Sequence, residues 1–135
     1  VGNFSETEHA KILKVTPQTG DISVVADYET LGGFPSELVG LQDDNLAALV
    51  YTPSPQNSFE AKEMSIVRIT ASQLEVLYTQ PGFSLSGLGA DSENTIYWGQ
   101  RTTDDSAGVY RFNAATNTTE GPWKTDLPPM DFLFY

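Results

Sequence analysis

At 135 residues, with 39% hydrophobic and 11% aromatic side chains, the chain is long enough to bury the core of one folding unit and too apolar for wholesale disorder. Seven basic against 18 acidic residues give a formal charge of −11, which repels phosphate backbones and anionic lipid, so no nucleic-acid partner is expected. Lack of cysteine removes disulfides, thiol catalysis and thiolate metal sites. The longest apolar run, Leu46 to Tyr51, is too short for membrane insertion.

Taken in chain order, short runs rich in Val, Ile, Leu, Thr and Tyr alternate with Gly, Pro, Asn and Asp clusters, the pattern of strands and turns. The first strong strand is Ile12 to Thr16, followed by the turn Pro17 to Asp21 and a second strand, Ile22 to Ala26. A connection over Tyr28 to Glu37 leads to Leu38-Val39-Gly40-Leu41, the Asp43-Asp44-Asn45 turn and a strand over Leu46 to Thr52. Pro53 and Pro55 precede Ser58 to Met64, which is expected to be loop because no helical period is sustained there. Strands then follow at Ile66 to Thr70 and Leu74 to Tyr78, a connection at Thr79 to Ser84, and further strands at Leu85 to Leu88 and Thr95 to Gln100. The final hairpin is Val109 to Asn113 with Gly121 to Thr125.

These elements repeat. Ile12-Leu13-Lys14-Val15-Thr16, Ile66-Val67-Arg68-Ile69-Thr70 and Val109-Tyr110-Arg111-Phe112-Asn113 share one pattern of two apolar residues, a base, an apolar residue and Thr or Asn. Leu38-Val39-Gly40-Leu41 is matched in the same way by Leu85-Ser86-Gly87-Leu88, and Asp43-Asp44-Asn45 by Asp91-Ser92-Glu93-Asn94. The unit is a four-stranded meander, strands a to d, of about 45 residues, a length that suits one propeller blade. The expected fold is therefore all-β, three four-stranded antiparallel blades forming half of a six-bladed propeller. Blade boundaries fall at about 1–33, 34–81 and 82–127, with an extra strand over 128–135.

With Ile96-Tyr97-Trp98 after an Asp/Asn turn and Val109-Tyr110-Arg111 after an acidic loop, the chain resembles six-bladed propellers of the YWTD and NHL kind. The resemblance implies a ring of blades, so the partner expected first is a second copy of the chain or the missing half of the propeller. Val1 to Ser5 aligns with strand b and 127–135 with strand a, so two chains head to tail would exchange innermost strands. It also implies a loop-rich face used by binding modules, lectins among them. A gluconolactonase-like member of the fold would instead place carboxylates and an Asn around a divalent metal, a set that three blades do not complete.

Candidate residues follow from that face. Three loops between strands b and c carry paired acids, Glu6 with Glu8, Glu60 with Glu63, and Asp104 with Asp105. Aromatic Tyr28, Phe34, Phe59 and Phe83 neighbour them, and Trp123 after Gly121-Pro122 offers a further exposed ring. Tyr28, Phe34, Phe59, Phe83, Asp104, Asp105 and Trp123 are the expected ligand-binding set, for a protein or glycan ligand. Loop residues are free to serve binding, whereas strand residues are committed to packing.

No catalytic residue is assigned: His9 is the only histidine, and no Gly-x-Ser-x-Gly elbow is present. No cofactor is assigned either, since Ca²⁺ needs six or more oxygens and no DxDxDG loop supplies them. Asp43, Asp44, Asn45, Asp91, Glu93 and Asn94 read as turn formers. Gly40 and Gly87 are expected at a crowded centre, and Lys14, Arg68 and Arg111 as bases paired with acids of a neighbouring blade. Two N-glycosylation triplets, Asn3-Phe4-Ser5 and Asn117-Thr118-Thr119, are compatible with a secreted chain without fixing the compartment.

Overall fold

The fold is described from a computed structural model over residues 10–101 and 107–135. Among these residues it is all-β apart from one helical turn. In chain order the strands are β1 (Lys11–Thr16), β2 (Asp21–Asp27), β3 (Phe34–Gly40), β4 (Leu46–Pro53), β5 (Ala61–Ile69), β6 (Leu74–Pro81), β7 (Leu85–Ala90), β8 (Ile96–Gln100), β9 (Gly108–Asn113) and β10 (Thr118–Lys124). The turn of helix, α1 (Tyr28–Leu31), follows β2. Asp27 caps it by accepting from the Thr30 backbone N–H at 2.8 Å, and Gly32 closes it in the left-handed region.

Among the described residues three antiparallel sheets result, ordered β1-β2, β3-β4-β5-β6 and β7-β8-β9-β10, and none closes on itself. Each four-stranded sheet is a meander whose neighbours are consecutive in sequence, because connections of four to seven residues separate the apolar runs. Asx chemistry shapes these turns. Asp91 Oδ1 accepts from the backbone N–H groups of Glu93 and Thr95, and Asp43, Asp44 and Asn94 take positive φ.

The sheets stack in sequence order through two cores. Strand alternation sends Ala48, Val50, Val67 and Ile69 of the middle sheet toward the first sheet, where they meet Ile12, Ala26 and Leu31. Ala47, Leu49, Met64 and Ile66 point the other way and pack on Leu85, Leu88, Ile96, Trp98 and Phe112 of the third sheet. Trp98 is fully buried there, stacked on Tyr110 at 5.7 Å with Tyr78 of the middle sheet 5.3 Å away. Burial among these rings pushes the Tyr78 phenol well above its ordinary pKa.

Several expectations need correction. Ser58 to Met64 is not all loop: β5 begins at Ala61, since Ala61 to Met64 continue the ladder with β4 and bury Met64 in the core. The last strand starts at Thr118, earlier than Gly121. Val109 is only half-buried, although Ile66 at the matched position is fully buried, because Val109 lies on the outer side of the third sheet. Residues 128–135 form no strand. They cross the outer side of β7 and β8, with the Ser86 hydroxyl donating to the Pro129 carbonyl at 2.7 Å. Gly87 and Gly89 make that approach feasible: a Cβ at Gly87 would meet the Met130 carbonyl carbon at 2.9 Å, and one at Gly89 the Phe132 Cβ at 2.8 Å. Gly40, by contrast, faces open space, so the crowding expected at both glycines holds only for Gly87.

Two of the three repeat-matched bases also differ from expectation. Lys14 does reach the next sheet, at Asp44, 3.3 Å away. Arg68 and Arg111 instead pair within their own sheets, with Glu75 and Glu120, because those acids sit directly opposite them in register. What Arg68 sends to the neighbouring sheet is its guanidinium face, 5.4 Å above the Phe112 ring.

Candidate functional site

A cleft of about 440 Å³ opens between the middle and third sheets, at the end where β3 and β7 begin and β4 and β8 finish. Its floor is the edge of the shared core, Leu49, Met64 and Leu85, so the cleft is a continuation of the packing between sheets. Its walls are aromatic. Phe34 sits opposite Tyr51 in the β3–β4 ladder, with ring centroids 6.4 Å apart, and Tyr51 in turn lies 6.4 Å from Phe83 across the gap. Tyr28 of α1 extends the row, edge-on to Phe34 at 4.9 Å.

Polar groups border this row at defined points. The Arg101 guanidinium lies 5.1 Å above the Phe83 ring, presenting its donors at the rim. Glu37 Oε1 accepts from the Gly87 backbone N–H at 3.2 Å, which ties β3 to β7 and fixes the carboxylate at the wall. The Tyr51 hydroxyl donates to the Ser58 carbonyl at 3.0 Å and so holds the loop after β4 against the cleft. The Ser36 hydroxyl donates to the Leu49 carbonyl and keeps its oxygen lone pairs for a further donor. An apolar floor, aromatic walls and a few fixed polar groups make up the usual anatomy of a small-ligand site.

Of the residues expected from sequence, Tyr28, Phe34 and Phe83 meet in this one row. Phe59 does not join it: the ring is 92% exposed, in the loop before β5. Trp123 lies at the opposite end of the molecule's stack, half-exposed on the outer side of the third sheet, with Arg111 5.2 Å above its ring. Asp104 and Asp105, like His9, Glu6 and Glu8, lie outside the described residues. Sequence reading missed Tyr51 and Arg101. Tyr51 was hidden inside the apolar run that begins at Leu46, and the usable signal was its place at the loop end of a strand. Among the described residues no group of three or more His, Asp or Glu side chains gathers to hold a metal ion.

Two tyrosine and arginine shifts belong to the outer side of the third sheet. Burial, together with its hydrogen bond to Asp91, raises the Tyr97 phenol, and Glu120 raises Arg111. Both groups therefore keep their ordinary charge states at neutral pH. No protein-family model matches the chain, and no curated protein matches it.

Proposed function

We propose that the chain is a noncatalytic binding module of the β-propeller type, and that its ligand is a carbohydrate held in the cleft between the middle and third sheets. One observation carries this reading: the aromatic row Phe34, Tyr51 and Phe83, bordered by Arg101, Glu37 and Ser36. Aromatic faces suit the C–H faces of a sugar ring, and charged and hydroxyl groups at the edge suit its hydroxyls. The propeller assignment draws support from successive four-stranded meanders stacked face to face, with β3 beside β7 and residues 129–134 beside β7 in turn.

A glycan array followed by titration of isotope-labelled protein tests the reading. A bound glycan is expected to shift resonances of Phe34, Tyr51, Phe83 and Arg101, and Phe83→Ala to weaken it about tenfold or more, which is about 1.4 kcal/mol. Phe83 is 57% exposed, so its loss leaves the fold intact. Shifts confined to β9 and β10, an affinity untouched by Phe83→Ala, or no glycan bound at all would overturn the assignment.

A further inference from the structure

The two internal interfaces of this molecule are built the same way, and each uses a different side of its two sheets. Each sheet has a forward side, toward the sheet that follows in sequence, and a backward side. Ile66 and Arg68 lie forward on β5, whereas Val67 and Ile69 lie backward. Likewise Ile12 and Lys14 of β1 reach forward, to the core and to Asp44, and Tyr110 and Phe112 of β9 face backward. The internal joints are therefore always forward side on backward side.

Among the described residues two sides remain wholly or partly uncovered, one of each kind. On the backward side of the first sheet Val15 and its cross-strand partner Ile22 are 55% and 66% exposed, although the matched Ile69 in β5 is 6% exposed. On the forward side of the third sheet Trp123 is 47% exposed beside Arg111, the counterpart of the Arg68 that covers Phe112 in the internal joint. Residues 129–134 cover the rest of that side at β7 and β8 and add Leu133 and Phe134 to its exposed apolar surface.

We infer that the forward side of the third sheet is a docking surface for the backward side of the first sheet of a second copy of this chain. The occupant is specified by the internal joints themselves: the open forward side carries Arg111, the match of the Arg68 that elsewhere meets a backward side of this sequence. In the joint Arg111 of one copy takes the place of Arg68, and Val15 of the other takes the place of Phe112. Burying apolar side chains such as Val15, Ile22, Phe134 and Trp123 drives the association, and charge opposes it because each copy carries −11. Such a contact is heterologous, so it closes into a ring if the rotation permits and otherwise extends.

Two variants of the full chain test the inference by mixing. Val15→Glu with Ile22→Glu disables the backward side, and Trp123→Glu disables the forward side; all three positions are exposed, so circular dichroism should match the wild type. Light scattering is expected to give the wild type a mass that is a multiple of 14.7 kDa, growing in population with added salt. Each variant alone is expected at the single-chain mass. An equal mixture of the two retains one intact forward and one intact backward side, and is expected to form a two-chain species. A wild type that stays at 14.7 kDa across concentration and salt, variants that still associate, or a mixture that stays monomeric would each overturn it.

Discussion

Strands β1 and β5 carry the same five-residue pattern and live in different surroundings. In β5 the backward residues Val67 and Ile69 are 0% and 6% exposed; in β1 the matched Leu13 and Val15 are 53% and 55% exposed. Both strands have a hairpin partner on one edge, so local sequence cannot account for the contrast. What differs among the described residues is the second edge, where β5 also pairs with β4, and the layer behind. β5 has the first sheet against its back, and β1 has none among the described residues. Burial in a stacked architecture is a property of position in the row, since each unit contacts only its neighbours.

Energetic cost should follow that rule. The largest effect is expected at the centre of the row, where Trp98 is enclosed by Tyr78 and Tyr110: Trp98→Ala should cost about 3 to 5 kcal/mol in urea denaturation. Ile69→Ala should cost about 2 to 5 kcal/mol, whereas the matched Val15→Ala should stay within about 0.5 kcal/mol at concentrations where the chain is monomeric. Equal costs at positions 69 and 15 would break the comparison, because a backward neighbour would then be covering β1 as well.

A smaller contrast separates the two arginines. Arg68 is the more enclosed, with 22% of its side chain exposed against 38% for Arg111, and it alone covers an aromatic ring of another sheet. Arg68→Ala should therefore exceed Arg111→Ala by about 1 kcal/mol, the scale of a partly desolvated cation–π contact. Guanidinium denaturation curves for the two variants measure the difference, and a larger loss at Arg111 would reverse the ranking of the two faces.

Much of this architecture was legible in the sequence because its signal is periodic. The base flanked by apolar residues marked β5 and β9, each the third strand of its sheet, and turn residues such as Asp91 and Asn94 marked the reversals. Contacts set by tertiary approach were not legible. That Arg68 pairs with Glu75 depends on strand register, which the four-residue turn between Ile69 and Leu74 sets before the bulge at Ile66/Val67 shifts it. Residues 128–135 look like a strand by composition, but they pair with no strand and lie against the outer side of β7 and β8, close over Gly87 and Gly89. In the cleft, aromatic residues in connections were visible as candidates. Tyr51 and Arg101 were not, because their role comes from the gap between two sheets rather than from any local pattern.

The smallest expected effect lies at the edge of the first sheet, where one carboxylate caps α1. Asp27 accepts from both the backbone N–H and the hydroxyl of Thr30, and these hydrogen bonds hold its pKa below the ordinary 3.8. A folded-state pKa below the unfolded one means that the unfolded chain binds the proton more readily. Stability from this cap is then fully present above the ordinary value and is lost as pH falls through the lower, folded value. Asp27→Asn keeps a capping oxygen and removes the charge, so the difference in melting temperature between wild type and variant isolates the ionised form. That difference should be constant from about pH 7 to about pH 5 and should shrink steadily below about pH 4. A gap that stays constant into acid, or widens there, would mean that the ionised cap contributes nothing. Because α1 packs Leu31 into the core between the first two sheets, the same titration reports how firmly the first sheet is held to the row.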